Sequence, residues 1–462
     1  MKKPSDQTLI LVASGPLLST ISLGMTSGYS AILLPQLQSA NSSIPINQNE
    51  ASWIASMAAL PMAFGCLLGG LIMEKLGRRS TQIITTIPCL MGWITIAFSS
   101  DIVTILIGRF LTGLCGGLLG PSTGVYIGET SEPRYRGFLL AAISLAMALG
   151  LFFSHLLGTL LHWKTTAIIS CIFPILSMIL LALVPESPSW LAKKGKTVEA
   201  QNAFYWCRGY SDEAKKEASI IIARQNHNKE EMTIKQRLQD LAKREFLKPL
   251  GIIVVFIVTN QWAGVNALTF YTVSIMKKTL GHGLDEYLAM LIVDIIRVVM
   301  SVITCGIMKK IGRRPLALIS GIGTSASLFV LSVYTYLTKI NPDGYMYYTI
   351  IPMTSLVAYI SFITVGFVPL PWAMMGEVFP LTNRNVGSSI SSFMAFIAFF
   401  SVVKTSPAMF DGLGPDGTFL VYGLVAFSGT IFNLAFLPET KDRTLHEIED
   451  QFKKNEKIRA NC

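Results

Sequence analysis

Long runs without charged residues constrain this sequence more than any other feature. The runs that contain no Asp, Glu, Lys or Arg are residues 7–49, 51–73, 80–100, 110–128, 137–163, 165–185, 249–276, 315–338, 344–376, 385–403 and 417–438. A twelfth apolar segment, 287–308, carries only Asp294 and Arg297 as charged residues. A helix of about 20 apolar residues crosses the roughly 30 Å hydrocarbon core of a bilayer. The runs therefore predict an all-α membrane protein with twelve transmembrane helices.

Composition argues against a soluble protein. Of the 462 residues, 51% are hydrophobic and 14% are charged, whereas an ordinary soluble domain has about 25% charged residues. A soluble chain of this length would form two or more domains, since a single core stops growing at roughly 250–300 residues. The charged residues are too few to cover the water-facing surfaces of such domains, so the lipid bilayer is the expected partner.

The net charge of +10 is spread over loops and tails rather than one basic patch, so no nucleic acid is expected to bind. With the N-terminus inside, the segments rich in Lys and Arg all fall on the cytoplasmic side. They are residues 2–3, 74–79, 134–136, 186–248, 309–314 and the C-terminal tail. This positive-inside bias predicts a multi-pass protein with both termini cytoplasmic, and the plasma membrane is the expected location.

Signals for modification, metal binding and catalysis are few. Asn41, in the sequon Asn41-Ser42-Ser43, falls in the first predicted outer loop and is a candidate glycosylation site, although such sequons also arise by chance. The seven cysteines show no metal-ligand spacing and are interpreted as small core residues. Neither a nucleophile with a base at catalytic spacing nor a nucleotide-binding loop is present. We therefore expect no metal, no cofactor and no enzyme activity.

Three motifs occur twice, in the same order and at matching places in the two halves. They are the segments 73–80 (MEKLGRRS) and 308–315 (MKKIGRRP), the pairs Glu129/Arg136 and Glu377/Arg384, and the tripeptides 185–187 (PES) and 438–440 (PET). This order indicates an internal duplication, as in many secondary transporters. The expected organisation is two six-helix bundles, 1–185 and 249–437, joined by a cytoplasmic segment, 186–248, and followed by a tail, 438–462.

The joining segment mixes apolar and charged residues at helical spacing. The pattern predicts two or three short cytoplasmic helices, at 197–207, 212–225 and 233–247. A solvated linker without further role is the alternative interpretation.

Several longer motifs carry a resemblance to a known family. They are GRR twice, VYIGETSEPRYRG (125–137), PESPSWL (185–191), NQWAGVN (260–266), PLPWAMMGEVFP (369–380) and PETKDRTL (438–445). With these motifs the chain resembles the sugar porter family of the major facilitator superfamily, which includes glucose facilitators and insect trehalose transporters. The stretch PWAMMGE is most similar to the trehalose branch. The resemblance implies a sugar held between two bundles near the bilayer midplane, with alternating access by rocking of one bundle against the other.

The resemblance also implies which residues bind substrate. In the seventh span Asn260, Gln261 and Asn266 match the amide positions of the family, and amides both donate to and accept from sugar hydroxyls. Trp372 in the tenth span matches the tryptophan of the pocket, and Tyr271 matches an outer gate. The alternative role of the amides is to join two helices, and that of the aromatic residues is to pack without touching substrate.

Several positions depart from the family pattern. The resemblance places Ser144 and Arg297 where the family usually has an amide, and Ala395 and Phe396 where it has Asn and Trp. Charged residues inside a membrane are costly and mark function by default. Asp294 and Arg297, three residues apart on one helix, either pair with each other or leave Arg297 to contact an acidic substrate.

Charged residues at the predicted cytoplasmic ends of the spans are implied to form a gate. The gate residues are Glu74, Arg79, Glu129, Arg136 and Glu186 in the first half, and Arg314, Glu377, Arg384 and Glu439 in the second. Arginine and carboxylate pairs latch the bundles when the site faces outward and separate when it faces inward. Anchoring of the helix ends at the membrane surface is the alternative role.

Together these features predict facilitative transport of a neutral sugar, either a hexose or a disaccharide similar to trehalose. Proton-driven members of the family carry an acid in the first helix, and this sequence has none between Asp6 and Glu50, which favours uncoupled transport. Two alternatives remain open: a carrier of another polyol or of an organic anion that uses Arg297, and a sugar sensor that does not transport.

Overall fold

The computed structural model describes residues 6–40, 42–210, 241–279, 285–341, 350–379 and 383–441. These residues are almost entirely helical, and they form twelve spans, each of one helix or of consecutive helices, that are long and apolar enough to cross a membrane. The predicted fold class and number of spans are thereby confirmed. The candidate glycosylation site Asn41 lies outside the described residues.

The helices follow one another in chain order. They are α1 (Asp6–Leu37), α2 (Gln48–Ser56), α3 (Leu60–Leu76), α4 (Arg78–Ala97), α5 (Ile102–Thr130), α6 (Pro133–Leu160), α7 (Trp163–Ser170), α8 (Ile172–Leu183), α9 (Pro188–Lys193), α10 (Thr197–Arg208), α11 (Arg244–Trp262), α12 (Val265–Thr279), α13 (Glu286–Lys310), α14 (Arg313–Ile340), α15 (Ile350–Phe362), α16 (Pro369–Met375), α17 (Arg384–Gly412) and α18 (Gly414–Phe436). A π-helical turn, Ile363–Phe367, separates α15 from α16.

The chain divides into two compact units. The first comprises Met1–Gly28 and Leu60–Thr233, and the second comprises Tyr29–Ala59 and Ile234–Cys462. The second unit therefore takes in the end of α1 and the whole of α2. The four-part division expected from the sequence stays a prediction.

Close helix packing forms the core of each unit. In the first unit α5 packs against α3 and α4, and in the second α14 packs against α18 and α15. At Gly117 of α5 an added Cβ atom would collide with the carbonyl oxygen of Met62 on α3. Small residues at such contacts let helix backbones approach closely in a membrane, where no hydrophobic force drives helices together.

The segment between the bundles contains α9 and α10, and α10 matches the helix predicted at 197–207. These two helices pack together through one buried apolar cluster, formed by Leu191, Ala192, Ala200 and Ala203. The helix predicted at 212–225 lies outside the described residues, as does the first part of 233–247.

Candidate functional site

The seventh span is broken in the middle of the proposed substrate site. α11 ends at Trp262, α12 begins at Val265, and Gly264 between them has φ +89°. Only glycine takes this backbone conformation without strain. A Cβ atom at Gly264 would also lie 2.5 Å from the ring of Tyr422. The break therefore depends on glycine. It separates the C-terminus of α11 from the N-terminus of α12 by two residues.

Three amide side chains surround this break. Nε2 of Gln261 donates to the carbonyl oxygen of Ala395 on α17 at 3.3 Å, and Oε1 of Gln261 accepts from Nδ2 of Asn266. Asn260 is 4% exposed, and its Oδ1 has no hydrogen-bond partner among the described residues. A buried acceptor without a partner is costly, so this oxygen is suited to receive a hydroxyl group from a ligand or from water.

Two tyrosines fix the backbone on either side of the break. The hydroxyl of Tyr359 on α15 donates to the carbonyl oxygen of Ala263 at 2.8 Å. The hydroxyl of Tyr271 donates to the carbonyl oxygen of Val403 at 3.0 Å, and Tyr271 itself has non-helical dihedral angles within α12. Tyr271 thus lies at a kink that ties the second part of the seventh span to α17.

A π-helical turn shapes the tenth span. Pro369 has no N–H with which to continue the helical bonding pattern, and the preceding turn widens over Ile363–Phe367. The hydroxyl of Ser320 on α14 supports the widened turn, since it donates to the carbonyl oxygen of Phe362 at 2.6 Å and accepts from the N–H of Phe367 at 2.8 Å. Such turns often occur at functional sites.

Trp372 lies on α16, directly after this turn. Its side chain is 42% exposed, and its ring centroid lies 5.9 Å from that of Phe396 on α17. α16 packs against α11, which carries Asn260 and Gln261. An exposed aromatic face near the amides offers an apolar surface for a sugar ring.

Arg297 is held between α13 and α12. Its Nη1 donates to Oγ1 of Thr269 at 2.9 Å, while its buried Nε has no hydrogen-bond partner within the described parts of the chain. Asp294 is 2% exposed and lies one helical turn earlier on α13. Both of the roles left open by the sequence, pairing with Asp294 and contact with substrate, are compatible with this geometry.

Ser144 belongs to the other unit of the structure. It lies on α6 of the first unit with an exposed side chain, whereas the other candidate substrate residues lie in the second unit. Its contribution to a shared pocket stays a prediction.

Arg109 is a buried charged residue that the sequence analysis did not single out. It lies on α5 with no exposed surface, and its Nη1 donates to the carbonyl oxygen of Thr26 on α1 at 2.8 Å. The signal was present in the sequence, because Arg109 follows Asp101 by eight residues and stands just before the charge-free run 110–128.

The first repeated motif forms an ionic cluster at the start of α4. Nε and Nη2 of Arg78 each lie 3.0 Å from an oxygen of Glu129, which is a bidentate pair. The carboxylate of Glu186 accepts from the backbone N–H groups of Arg78 and Arg79 at 2.8 and 2.9 Å. It also accepts from the N–H of Ser80 at 3.1 Å. Glu186 therefore caps the free N–H groups and the positive end of the α4 dipole.

The second half repeats this cluster at the start of α14. Nη2 of Arg313 lies 3.0 Å from Oε1 of Glu377. The carboxylate of Glu439 accepts from the backbone N–H groups of Arg313 and Arg314 at 2.9 and 3.1 Å. Burial opposes the charge of Glu439, but backbone hydrogen bonds from Lys441, Arg313 and Arg314 outweigh it, so its pKa lies below the ordinary value of 4.5.

The second arginine of each motif binds backbone carbonyl groups. Arg79 donates from Nε to Leu181 at 2.6 Å and from Nη2 to Ala182 at 2.9 Å, near the end of α8. Arg314 donates to the carbonyl oxygen of Leu434 near the end of α18. These arginines satisfy the free carbonyl groups of a helix C-terminus. The arginines paired with Glu129 and Glu377 are thus the first of each motif, Arg78 and Arg313.

The remaining gate residues make fewer contacts. The buried Nε of Arg136, and the buried Nε and Nη2 of Arg384, have no hydrogen-bond partner in the described part of the chain. Burial lowers the pKa of the Arg384 guanidinium. Glu74 bonds Nζ of Lys193 at 2.7 Å, and its carbonyl oxygen accepts from Nε1 of Trp190 at 3.0 Å. The ion pairs described above each lie within one unit, and a latch between the halves stays a prediction.

Comparison with protein families gives one match over most of the chain. The family model described as "Sugar (and other) transporter" matches residues 10–452. The facilitated trehalose transporter Tret1 of Apis mellifera ligustica is 31% identical over 456 residues, which are 98% of this chain and 89% of the relative. Trehalose transporter 1 of Drosophila melanogaster is 31% identical over 447 residues. Those residues are 96% of this chain and 51% of the fly protein, so the chain spans about half of that relative.

Comparison with solved structures supports the fold. The proton:xylose symporter XylE, a major facilitator superfamily protein bound to 6-bromo-6-deoxy-D-glucose, has a TM-score of 0.78 at 21% identity and covers 97% of this chain and 99% of its own. An inward open conformation of the xylose transporter XylE from E. coli has a TM-score of 0.78 at 20% identity, with 96% and 99% covered. The likeness at this identity concerns the arrangement of helices.

Proposed function

Because this chain belongs to the sugar transporter family of the major facilitator superfamily, we propose that it carries a neutral sugar across the membrane by alternating access, without a coupled ion. The relatives reported above are named as transporters rather than enzymes. The insect relatives carry trehalose in their names, so trehalose and glucose are the first candidates for the substrate.

The observation that supports substrate binding is the set of amides at the break in the seventh span. Gln261 and Asn266 are joined by a side-chain hydrogen bond. Oδ1 of Asn260 is a buried acceptor without a hydrogen-bond partner among the described residues. Sugars bind through such amides together with an aromatic face, here Trp372. In this proposal a sugar hydroxyl donates to Oδ1 of Asn260 while the ring lies against Trp372.

Uncoupled transport is supported by the surroundings of Arg109. The guanidinium of Arg109 donates to a backbone carbonyl group on α1, at Thr26, and the sequence of α1 after Asp6 contains no acidic residue. A backbone carbonyl group does not take up a proton at physiological pH. The first helix therefore offers no group that would couple sugar movement to a proton gradient.

Orientation and gating belong to the same proposal. The positive-inside bias orients both termini toward the cytoplasm, with the plasma membrane as the site of action. In the outward-facing state the unsatisfied donors of Arg136 and Arg384 find carboxylate partners at the cytoplasmic ends of the helices, and in the inward-facing state they release them.

One observation favours a second candidate function. Arg297 keeps a buried Nε donor without a hydrogen-bond partner within the described residues. A guanidinium with a free donor recognises carboxylates well. A carrier of a small organic anion is therefore the alternative to a carrier of neutral sugars.

Uptake into proteoliposomes tests both readings. Purified protein is reconstituted, and radiolabelled glucose, trehalose and lactate are each offered with and without a pH gradient. We expect saturable uptake of at least one neutral sugar, unchanged by the gradient, and loss of that uptake in Gln261→Leu but not in Val255→Ala, on the exposed side of the same helix. Saturable uptake of lactate alone supports the second candidate, and accumulation driven by the pH gradient contradicts uncoupled transport.

A further inference from the structure

Part of the N-terminal half of the sequence packs with the C-terminal half. Residues Tyr29–Ala59, which hold the end of α1 and all of α2, belong to the second compact unit. α2 packs against α17. Ala31 and Ile32 of α1 form a buried apolar cluster with Val273 and Met290. The first two spans are thus divided between the units, and their connecting segment is attached to the C-terminal half.

Lys404 of α17 is the centre of the contact with α2. Its Nζ donates to Oγ of Ser52 at 2.6 Å and to Oδ1 of Asn49 at 3.3 Å. The same Nζ lies 4.0 Å from the ring centroid of Trp53, and that ring lies 6.3 Å from the ring of Phe400. An ammonium group over a tryptophan face is a favourable cation–π contact, and it strengthens as water is excluded.

The helix α2 is built to present this surface. Asn49, Ser52 and Trp53 are three and four residues apart, so they share one face of the helix. A capping box fixes the start of α2, because Asn47 accepts from the N–H of Glu50 and Glu50 accepts from the N–H of Asn47. The three partners of Lys404 therefore approach it together as one rigid surface.

A second polar contact lies at the end of the same pair of helices. Asp411 accepts from Nε2 of Gln48 and pairs with Nζ of Lys278 at 2.9 Å. The side chains of Lys278 and Asp411 are 43% and 42% exposed, and exposed ion pairs contribute little to stability. By contrast, Ser52, which accepts from Lys404, is 6% exposed, so that hydrogen bond is better shielded from water than this pair.

We propose that Lys404 and its three partners on α2, Asn49, Ser52 and Trp53, form a latch that closes the protein on the side where α1 and α2 are joined. This inference rests on the proposed function as an alternating-access carrier and adds a device that the sugar site does not require. Opening toward that side means that α2 leaves α17, and the cation must then give up the ring and both oxygen acceptors. The latch thus sets the balance between the closed and open states on the side predicted to face outward.

Amide hydrogen exchange on the purified protein in nanodiscs, without any sugar, tests the latch. Lys404→Met keeps the apolar side chain but removes the charge, and we expect exchange in residues 48–56 and 400–412 to rise on the order of tenfold. Trp53→Leu removes the aromatic partner of Lys404 and is expected to give the same rise. Lys404→Arg, which can also lie over a tryptophan ring, should keep the exchange within about twofold of the native protein.

Lys339→Met is the matched control. Lys339 pairs with Asp416 at 3.8 Å and joins α14 to α18 within the C-terminal half, so its loss should leave both segments unchanged. Equal exchange in Lys404→Met and the native protein would overturn the latch, as would an equal rise in Lys339→Met. Because no substrate is present, a failure here leaves the uptake result standing, and a failure of uptake leaves the exchange result standing.

Discussion

At the scale of single residues, the role of the buried Oδ1 of Asn260 in substrate binding can be tested with one substitution. Asn260→Leu keeps nearly the same volume but removes the acceptor. We expect the half-saturation concentration for sugar uptake to rise about two- to tenfold, the effect of losing one hydrogen bond of roughly 0.5–1.5 kcal/mol. Val255→Ala on the exposed side of α11 should leave it unchanged. An unaltered half-saturation concentration in Asn260→Leu would mean that this oxygen does not face substrate.

Arg297 separates the neutral-sugar account from the anion account. In Arg297→Gln an amide donor remains available for Oγ1 of Thr269, which Arg297 now binds at 2.9 Å. We expect sugar uptake to stay within about threefold of the native rate. Arg297→Gln and Arg297→Met both remove the cation next to the buried Asp294 and are expected to lower thermal stability, because a buried charge that loses its neighbouring countercharge is costly. Arg297→Met also loses the donor to Thr269 and should melt at the lower temperature. Lactate uptake by the native protein that is lost in a stably folded Arg297→Gln protein would favour the anion carrier.

Glu439 links the ionic cluster of the second half to pH. Its pKa is lowered in the folded protein, so its ionised form stabilises the fold above the ordinary value of 4.5. That contribution is lost as the pH falls through the lowered value. We expect Glu439→Gln to melt below the native protein at pH 7, and the difference to shrink as the pH falls below 4.5. Glu199→Gln, at an exposed pair on α10, should show no such difference, and a gap that stays constant with pH would contradict the assignment.

At the scale of helices, the break in the seventh span rests on Gly264. Gly264→Ala forces a side chain onto a backbone with φ +89° and against the ring of Tyr422. We expect a loss of about 1–3 kcal/mol in stability and a lower maximal rate of uptake. Gly251→Ala lies on α11, where an added Cβ atom meets nothing within 4 Å, and should be neutral or slightly stabilising. Equal melting temperatures for the two variants would show that the break does not depend on glycine.

Some features of the helices could be predicted from the sequence and others could not. The break at Gly264 and the altered helix before Trp372 are of the predictable kind, because glycine and the prolines at 369 and 371 act on the local backbone. The choice between Arg78 and Arg79 as the partner of Glu129 could not be predicted. Adjacent residues point about 100° apart on a helix, so the choice depends on how α4 is rotated against its neighbours. The contacts of Lys404 with α2 could not be predicted either, since they join segments about 350 residues apart in the sequence.

At the scale of the whole molecule, the twelve spans were predictable because insertion into a bilayer depends on the local sum of apolar residues. The repeated motifs also indicated that the two halves contain the same arrangement of charged residues, and the structure shows it. Arg78, Glu129 and Glu186 in one half have the same relations as Arg313, Glu377 and Glu439 in the other. The position of Ser144 relative to the amides was beyond such reasoning, because it depends on how helices pack rather than on any local pattern.

Counterflow in proteoliposomes tests the carrier account most directly. Vesicles loaded with a high concentration of unlabelled sugar are diluted into a trace of the same labelled sugar. An alternating-access carrier with one central site exports mostly unlabelled sugar and brings labelled sugar in when its site faces outward again. We therefore expect labelled sugar to accumulate transiently above its equilibrium level, and this accumulation to be absent in Gln261→Leu. A monotonic approach to equilibrium without that overshoot, for every sugar that enters, would contradict the account.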